Sequence, residues 1–114
     1  MADLLQRYIQ TLADALSHVE VTDRAANPMP LEQGCEWFRQ TARATHDAGN
    51  KLMFVGNGGS ASIASHLAID YSKNGDLRSL AFNDASALTC LGNDLGYENV
   101  FASRSKFTPV LETC

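Results

Sequence analysis

An apolar tetrapeptide, Leu52-Met53-Phe54-Val55, runs directly into Gly56-Asn57-Gly58-Gly59-Ser60-Ala61, and this junction constrains the fold more than any other stretch of the chain. The apolar run is short and bounded by glycine, which predicts a strand buried on both faces. Three glycines let the backbone turn sharply and come close to a ligand, because no Cβ blocks either. Ser60 then sets a hydroxyl where a helix begins, and the free N–H groups of a first helical turn favour an anion. Strand, glycine turn and helix N-terminus together predict a phosphate-holding loop in an α/β protein.

The surrounding sequence supplies the helices such a loop needs. Leu4, Leu5, Tyr8, Ile9, Leu12, Ala13, Leu16 and Val19 recur at helical spacing, predicting an amphipathic helix over 3–19 whose apolar stripe needs a protein partner. The segment Val21 to Pro30, with Asp23, Asn27, Pro28 and Pro30, reads as a linker. A second helix is predicted from Leu31 to Ala48, ended by Gly49-Asn50. After the glycine loop, Ala61 to Lys73 reads as a helix stopped by Asn74-Gly75, and Ser79-Leu80-Ala81-Phe82 as a second strand. Asn83-Asp84 offers a cap for a short helix from Ala85 to Leu91. Gly92-Asn93-Asp94-Leu95-Gly96 reads as a second glycine-flanked turn before a last helix from Tyr97 to Phe107.

Strand, helix, strand, helix implies a parallel sheet with helices on its faces. The divisions are an N-terminal helical segment over 1–50, the first part of an α/β domain over 51–107, and a tail over 108–114. Open α/β sheets usually have four to six strands, and only two are legible, so the chain reads as truncated or reliant on partners.

Charge and cysteine usage exclude several classes. The chain has 114 residues, a net charge of -4 and nine scattered basic residues, which argues against a nucleic-acid surface. No segment approaches the ~20 apolar residues that span a bilayer, and the start lacks the apolar run of a signal peptide. Cys35, Cys90 and Cys114 are odd in number and lack CxxC spacing, predicting reduced thiols in a cytoplasmic protein, with Cys35 and Cys90 in the core.

Chemistry is predicted on the helix after the loop. Ile63, His66 and Asp70 follow Gly59 at helical spacing and so share one face with it. At 1.5 Å rise per residue, His66 lies roughly 9 Å and Asp70 roughly 15 Å along the axis from Ser60, a span suited to a phosphorylated sugar. His66 and Asp70, one turn apart, can share a metal ion, form an acid/base pair, or make a surface contact. His18 and His46 have no acid at ligand spacing and read as surface residues. The loop also matches G-x-G-x-x-A, which admits dinucleotide binding with Asp84 on the ribose. A Walker-type ATP loop is excluded, because no Lys follows the glycines.

Gly56-Asn57-Gly58-Gly59-Ser60-Ala61, His66, Ser86-Ala87-Leu88-Thr89, Gly92-Asn93-Asp94 and Gly96-Tyr97-Glu98-Asn99-Val100-Phe101 resemble, in that order, the sugar isomerase (SIS) domain family. Within it the chain is most similar to phosphoheptose isomerases, which interconvert sedoheptulose 7-phosphate and a heptose 7-phosphate. The resemblance spans roughly residues 1–107. It implies a three-layer, flavodoxin-like parallel sheet flanked by helices, assembled as a homo-oligomer, a tetramer, with sites between subunits. It implies that Asn57, Gly58, Gly59 and Ser60 contact the sugar phosphate and that Asp94 binds sugar hydroxyls. His66 matches a ligand position of the zinc-binding members, and no nucleotide is expected.

The family has a Glu one turn after that His, as base or ligand in proton transfer through an enediol. Asp70 stands there instead, as catalytic and metal-binding candidate, with its carboxylate ~1.5 Å farther back. A displacement of that order can cost ~100-fold in rate. The family also continues into a third strand, a Ser/Thr-rich second phosphate loop, and a later Gln and His, so this chain matches its first half. It is therefore expected to bind sugar phosphate and to lack activity alone; the alternative is a non-catalytic SIS module that regulates by binding a sugar phosphate or a protein.

Overall fold

The computed structural model describes residues 1–106, which form a mixture of helices and short strands; the tail Thr108–Cys114 lies outside the described residues. Two compact units divide the chain, Met1–Gln40 and Thr41–Cys114, with the division inside a helix.

In the first unit, α1 spans Ala2–Ser17, free of glycine and proline and close to the predicted span. An Asp3–Arg7 pair at 2.8 Å and a Gln10–Asp14 hydrogen bond at 2.8 Å support it one turn apart, but none of its residues is buried. The predicted linker is instead a small hairpin: β1 (Val21–Thr22) pairs antiparallel with β2 (Pro28–Met29). Asp23 makes the turn that proline and asparagine alone suggested was irregular. Its carboxylate accepts from the Ala25 and Asn27 N–H groups at 2.8 and 2.9 Å and from Asn27 Nδ2 at 3.0 Å, an Asx arrangement that closes the loop. The Asn27 side-chain amide, followed by the backbone donors, holds the Asp23 carboxyl below its ordinary value.

Helix α2 (Leu31–Asp47) follows Pro30 directly. Gly34 in its first turn lets the hairpin approach, since a Cβ there would lie 2.6 Å from Val21 Cγ1. Cys35, expected in the core, is exposed on this helix, as are Trp37 and Phe38. Helix α2 ends in the second unit as the Gly49-Asn50 signal predicts. Asn50 N–H reaches Thr45 O at 3.0 Å and Gly49 N–H reaches His46 O at 2.9 Å, with Gly49 at φ 79°, a Schellman motif.

The second unit contains the predicted strand pair, β3 (Leu52–Phe54) and β4 (Ser79–Ala81), parallel in the register Leu52↔Ser79, Met53↔Leu80, Phe54↔Ala81. Between them α3 (Gly59–Lys73) makes the crossover. This is one βαβ unit with a two-stranded parallel sheet among the described residues, matching the two strands legible in the sequence and not the full flanked sheet that the resemblance implies. Nor is the run Leu52–Val55 buried on both faces, because its alternate residues Met53 and Val55 are about half exposed, 47% and 50%.

Small side chains bring α3 close to β4. Ala64 and Ala68 are buried one turn apart, and Ser72 continues the row. Ser79 Oγ donates to Ala68 O at 2.6 Å and lies 2.7 Å from Ser72 Oγ. Asn83, just past β4, donates through Nδ2 to Ala61 O and Ser65 Oγ, each at 2.7 Å. Phe54 and Tyr71 stack at 5.3 Å. His46, expected at the surface without a role, ties α2 to the approach of β4: its ring Nδ1 accepts from Arg78 N–H at 3.0 Å.

Helix α4 (Ala85–Leu95) begins on the predicted cap, with Asp84 Oδ1 accepting from Ala87 N–H at 2.8 Å. It continues through Gly92, Asn93 and Asp94, so the predicted turn over Gly92–Gly96 contracts to Gly96 alone, at φ 81°. A 3-10 turn (Tyr97–Asn99) then leads into α5 (Val100–Lys106). Val100 and Phe82 complete the core with Ala42, Ala64 and Ala68. No helix among the described residues is long and apolar enough to cross a membrane.

Candidate functional site

Parallel pairing places the C-terminal ends of β3 and β4 side by side, so α3 and α4 both start at one edge, where open α/β sheets take ligands. The two starts differ. Helix α4 is capped by the Asp84 carboxylate, which accepts from Ala87 N–H and sets a negative charge at the helix start. Helix α3 is entered through Gly58 at φ 57° with no side-chain cap. The Asp84 charge disfavours a second anion at α4, and no side chain sets such a charge on the start of α3.

The loop before α3 is tightly folded on its inner side and open on its outer side. A Cβ on Gly56 would lie 2.5 Å from Ser60 O and 2.8 Å from Ser60 Oγ, so only glycine permits this closure. A Cβ on Gly58 or Gly59 would meet nothing within 4 Å. Ser60, predicted to meet the phosphate, also latches the loop: its Oγ accepts from Asn57 N–H at 2.7 Å and donates to Asn57 O at 2.6 Å. Ser60 and Ala61 N–H groups bond Asn57 O and Gly58 O at 3.1 and 3.0 Å.

His66 and Asp70 meet on the outer face of α3, away from the buried Ala64 and Ala68, with Nε2 and Oδ2 3.3 Å apart. Their side chains are 78% and 43% exposed, so this acid/base pair stands in solvent. Among the described residues no three His, Cys, Asp or Glu side chains come together to hold a metal.

Asp94 lies in the last turn of α4. It accepts from Asn93 Nδ2 at 3.0 Å and from Cys90 Sγ at 3.5 Å. That hydrogen bond, reinforced by the carboxylate's charge, pushes the Cys90 thiol above its ordinary value, and Cys90 is exposed where a core position was expected. No hydrogen bond or ion pair among the described residues joins Asp94 to Asn57, Ser60, His66 or Asp70.

Two residues outside the predicted set touch the site. Tyr97 OH donates to Asn57 Oδ1 at 2.5 Å, across 40 positions of sequence. Asn83 holds the first turns of α3, and its Oδ1 is buried without a hydrogen-bond partner among the described residues. Tyr97 belongs to the quoted Gly96–Phe101 motif, so its importance was signalled, although its contact was not. Asn83 gave no signal beyond its place before a cap.

Comparison with known proteins finds relatives that match most of the chain. The chain is 47% identical over 74 residues to the phosphoheptose isomerase of Akkermansia muciniphila, covering 57% of this chain and 39% of that protein. It is 36% identical over 112 residues to that of Solidesulfovibrio magneticus, covering 89% and 48%. It is 34% identical over 108 residues to that of Aneurinibacillus thermoaerophilus, covering 90% and 52%. The chain thus spans about half the length, or less, of these curated relatives. No protein-family model matches it, and no solved structure matches it.

Proposed function

We propose that this chain binds a sugar phosphate in the manner of an SIS domain, with the phosphate on the loop formed by Asn57, Gly58, Gly59 and Ser60. The observation that carries the reading is the contrast between neighbouring helix starts. Helix α3 is glycine-entered, uncapped and open above Gly59, whereas α4 is closed by Asp84. Similarity to proteins named phosphoheptose isomerase supports a seven-carbon sugar phosphate as ligand. Asp94, in the last turn of α4, is the proposed partner of the sugar hydroxyls.

In the catalytic form of this reading, the reaction is aldose–ketose isomerisation of sedoheptulose 7-phosphate. A base removes a proton from the carbon beside the carbonyl, an enediol forms, and the proton returns to the neighbouring carbon. Asp70 is the proposed base and His66 its hydrogen-bonding partner. Zinc at this pair would draw two donors from the described residues, where catalytic zinc takes three protein ligands. These residues alone do not fit the metal, and no step is assigned to it. A second copy of the chain is the proposed cover for the apolar stripe of α1, in a cytoplasmic homo-oligomer without nucleic-acid or membrane partners.

The openness of the His66–Asp70 pair favours a second reading, a non-catalytic module that binds the same ligand and regulates. A pair so exposed has little around it to exclude water from a reacting sugar. Titration of the purified chain with sedoheptulose 7-phosphate, followed by calorimetry and by an assay for the isomerised product, tests both. Saturable binding is expected, and it should disappear in Gly59→Asp, which sets a carboxylate at the helix start where a side chain meets nothing. Absence of binding at millimolar ligand would overturn the proposal. Turnover abolished by Asp70→Asn would overturn the binding-only reading.

A further inference from the structure

The geometry points to Tyr97 as a positioning residue for the phosphate loop: its hydroxyl fixes the side-chain amide of Asn57, so that Nδ2 is offered to the ligand as a donor. This rests on the sugar-phosphate reading for what is bound, but its structural half is independent of any ligand. An asparagine amide has two chemically different ends on one rotatable bond, and a free Asn57 on an open loop would present either. Tyr97 OH donates to Oδ1 at 2.5 Å, and with the oxygen on the tyrosine the NH2 group lies on the other side of the amide. An amide oxygen turned outward would repel a phosphate, and an NH2 group would bind it.

The tyrosine is itself held in place. Gly96 at φ 81° turns the chain out of α4 immediately before it. Its ring packs edge to face against Phe101, with centroids 6.5 Å apart and planes at 73°, and Cδ2 lies 3.7 Å from where a Cβ on Gly92 would stand. The backbone of Asn57 is separately fixed by Ser60 Oγ on both its N–H and its C=O. Backbone and side chain of one loop residue are thus secured by two different segments. This gives the Gly92–Gly96 sequence a role that the predicted turn did not explain, since it carries Tyr97 to the loop. Because Tyr97 is 55% exposed, its hydroxyl adds little to the core, and loss of that hydroxyl should be felt mainly at Asn57.

Tyr97→Phe in the purified chain removes the hydroxyl and keeps the ring. In 15N–1H spectra without ligand, the Asn57 Nδ2 resonances should shift and their hydrogens exchange faster, while the backbone amides of α4 and α5 stay in place. Affinity for sedoheptulose 7-phosphate should fall roughly threefold to tenfold, the scale of one neutral hydrogen bond. Asn57→Ala should cost more, and adding Tyr97→Phe to it should cost nothing further. Unchanged Asn57 side-chain resonances in Tyr97→Phe, or additive losses in the double variant, would overturn the inference. If the unmodified chain binds no sugar phosphate while the Asn57 resonances still respond, the ligand reading fails and the tyrosine's hold on Asn57 stands.

Discussion

Met1–Gln40 and the unit that begins at Thr41 are built from equally regular helices, yet Ala42, Ala64, Ala68, Phe82 and Val100, the buried apolar residues among those described, all fall in the second. Helix α1 buries nothing, although its stripe of Leu4, Leu5, Tyr8, Ile9, Leu12 and Leu16 is the most periodic pattern in the chain. Helix α3 has a weaker pattern and buries two alanines, because β4 supplies Ser79, and the segment after it Asn83, that draw it in. Periodicity makes a helix amphipathic, but only a facing surface turns an apolar stripe into a core. The candidate site lies on the unit that has such a surface, where its loop can be held rigid.

Three measurements would break or sharpen that contrast. Phe82→Ala, at a side chain 6% exposed, should destabilise the second unit by about 3–5 kcal/mol in urea unfolding. Leu12→Ala, at a position 52% exposed on α1, should change stability by under about 0.5 kcal/mol when the chain is dilute enough to be monomeric. A comparable loss from both would break the contrast, by showing that another surface covers the α1 stripe in solution.

A smaller effect is expected within the loop. Gly56→Ala drives a methyl group into the Ser60 backbone and should cost about 1–3 kcal/mol, together with sugar-phosphate binding. Gly59→Ala meets open space in a helical first turn and should be neutral or slightly stabilising. Equal thermal shifts in the two variants would mean that the loop does not close on itself as described.

The smallest effect belongs to the first unit. Arg39, hydrogen-bonded to Glu36 at 2.7 and 2.8 Å, and then Gln40 hold the Glu36 carboxyl down to about 2. A carboxyl with a depressed folded pKa stabilises the fold above its unfolded value. That contribution is lost as pH falls from 4.5 towards 2. Far-UV circular dichroism of α2 should therefore weaken over that window in the unmodified chain and less so in Glu36→Gln. The pair is solvent-exposed, so added salt should shrink the difference. A salt-insensitive difference would place Glu36 in an interface.

Much of the site was legible because its signals are local. Gly58 takes the positive φ expected of a glycine turn, Asp84 caps α4, Gly49 closes α2, and His66 and Asp70 meet one turn apart. The misreadings share a different cause. Val21–Pro30 looked like a linker because proline and asparagine mark turns, whereas the cross-strand pairing of Val21 with Met29 is visible only once the chain folds back. Gly92 looked like a breaker, but α4 runs through it and Tyr97 packs above it. Cys35 and Cys90 were placed inside on residue type alone, and both are exposed.

The sequence by itself determined the helices and the glycine loop, because φ/ψ preferences and helix-end hydrogen bonding act over a few residues. Only the tertiary structure decided which apolar faces become core, that Ser60 latches its own loop, and that Tyr97 reaches Asn57 across 40 positions. Those contacts depend on where β4 and α4 bring distant segments together, and no local preference encodes that distance.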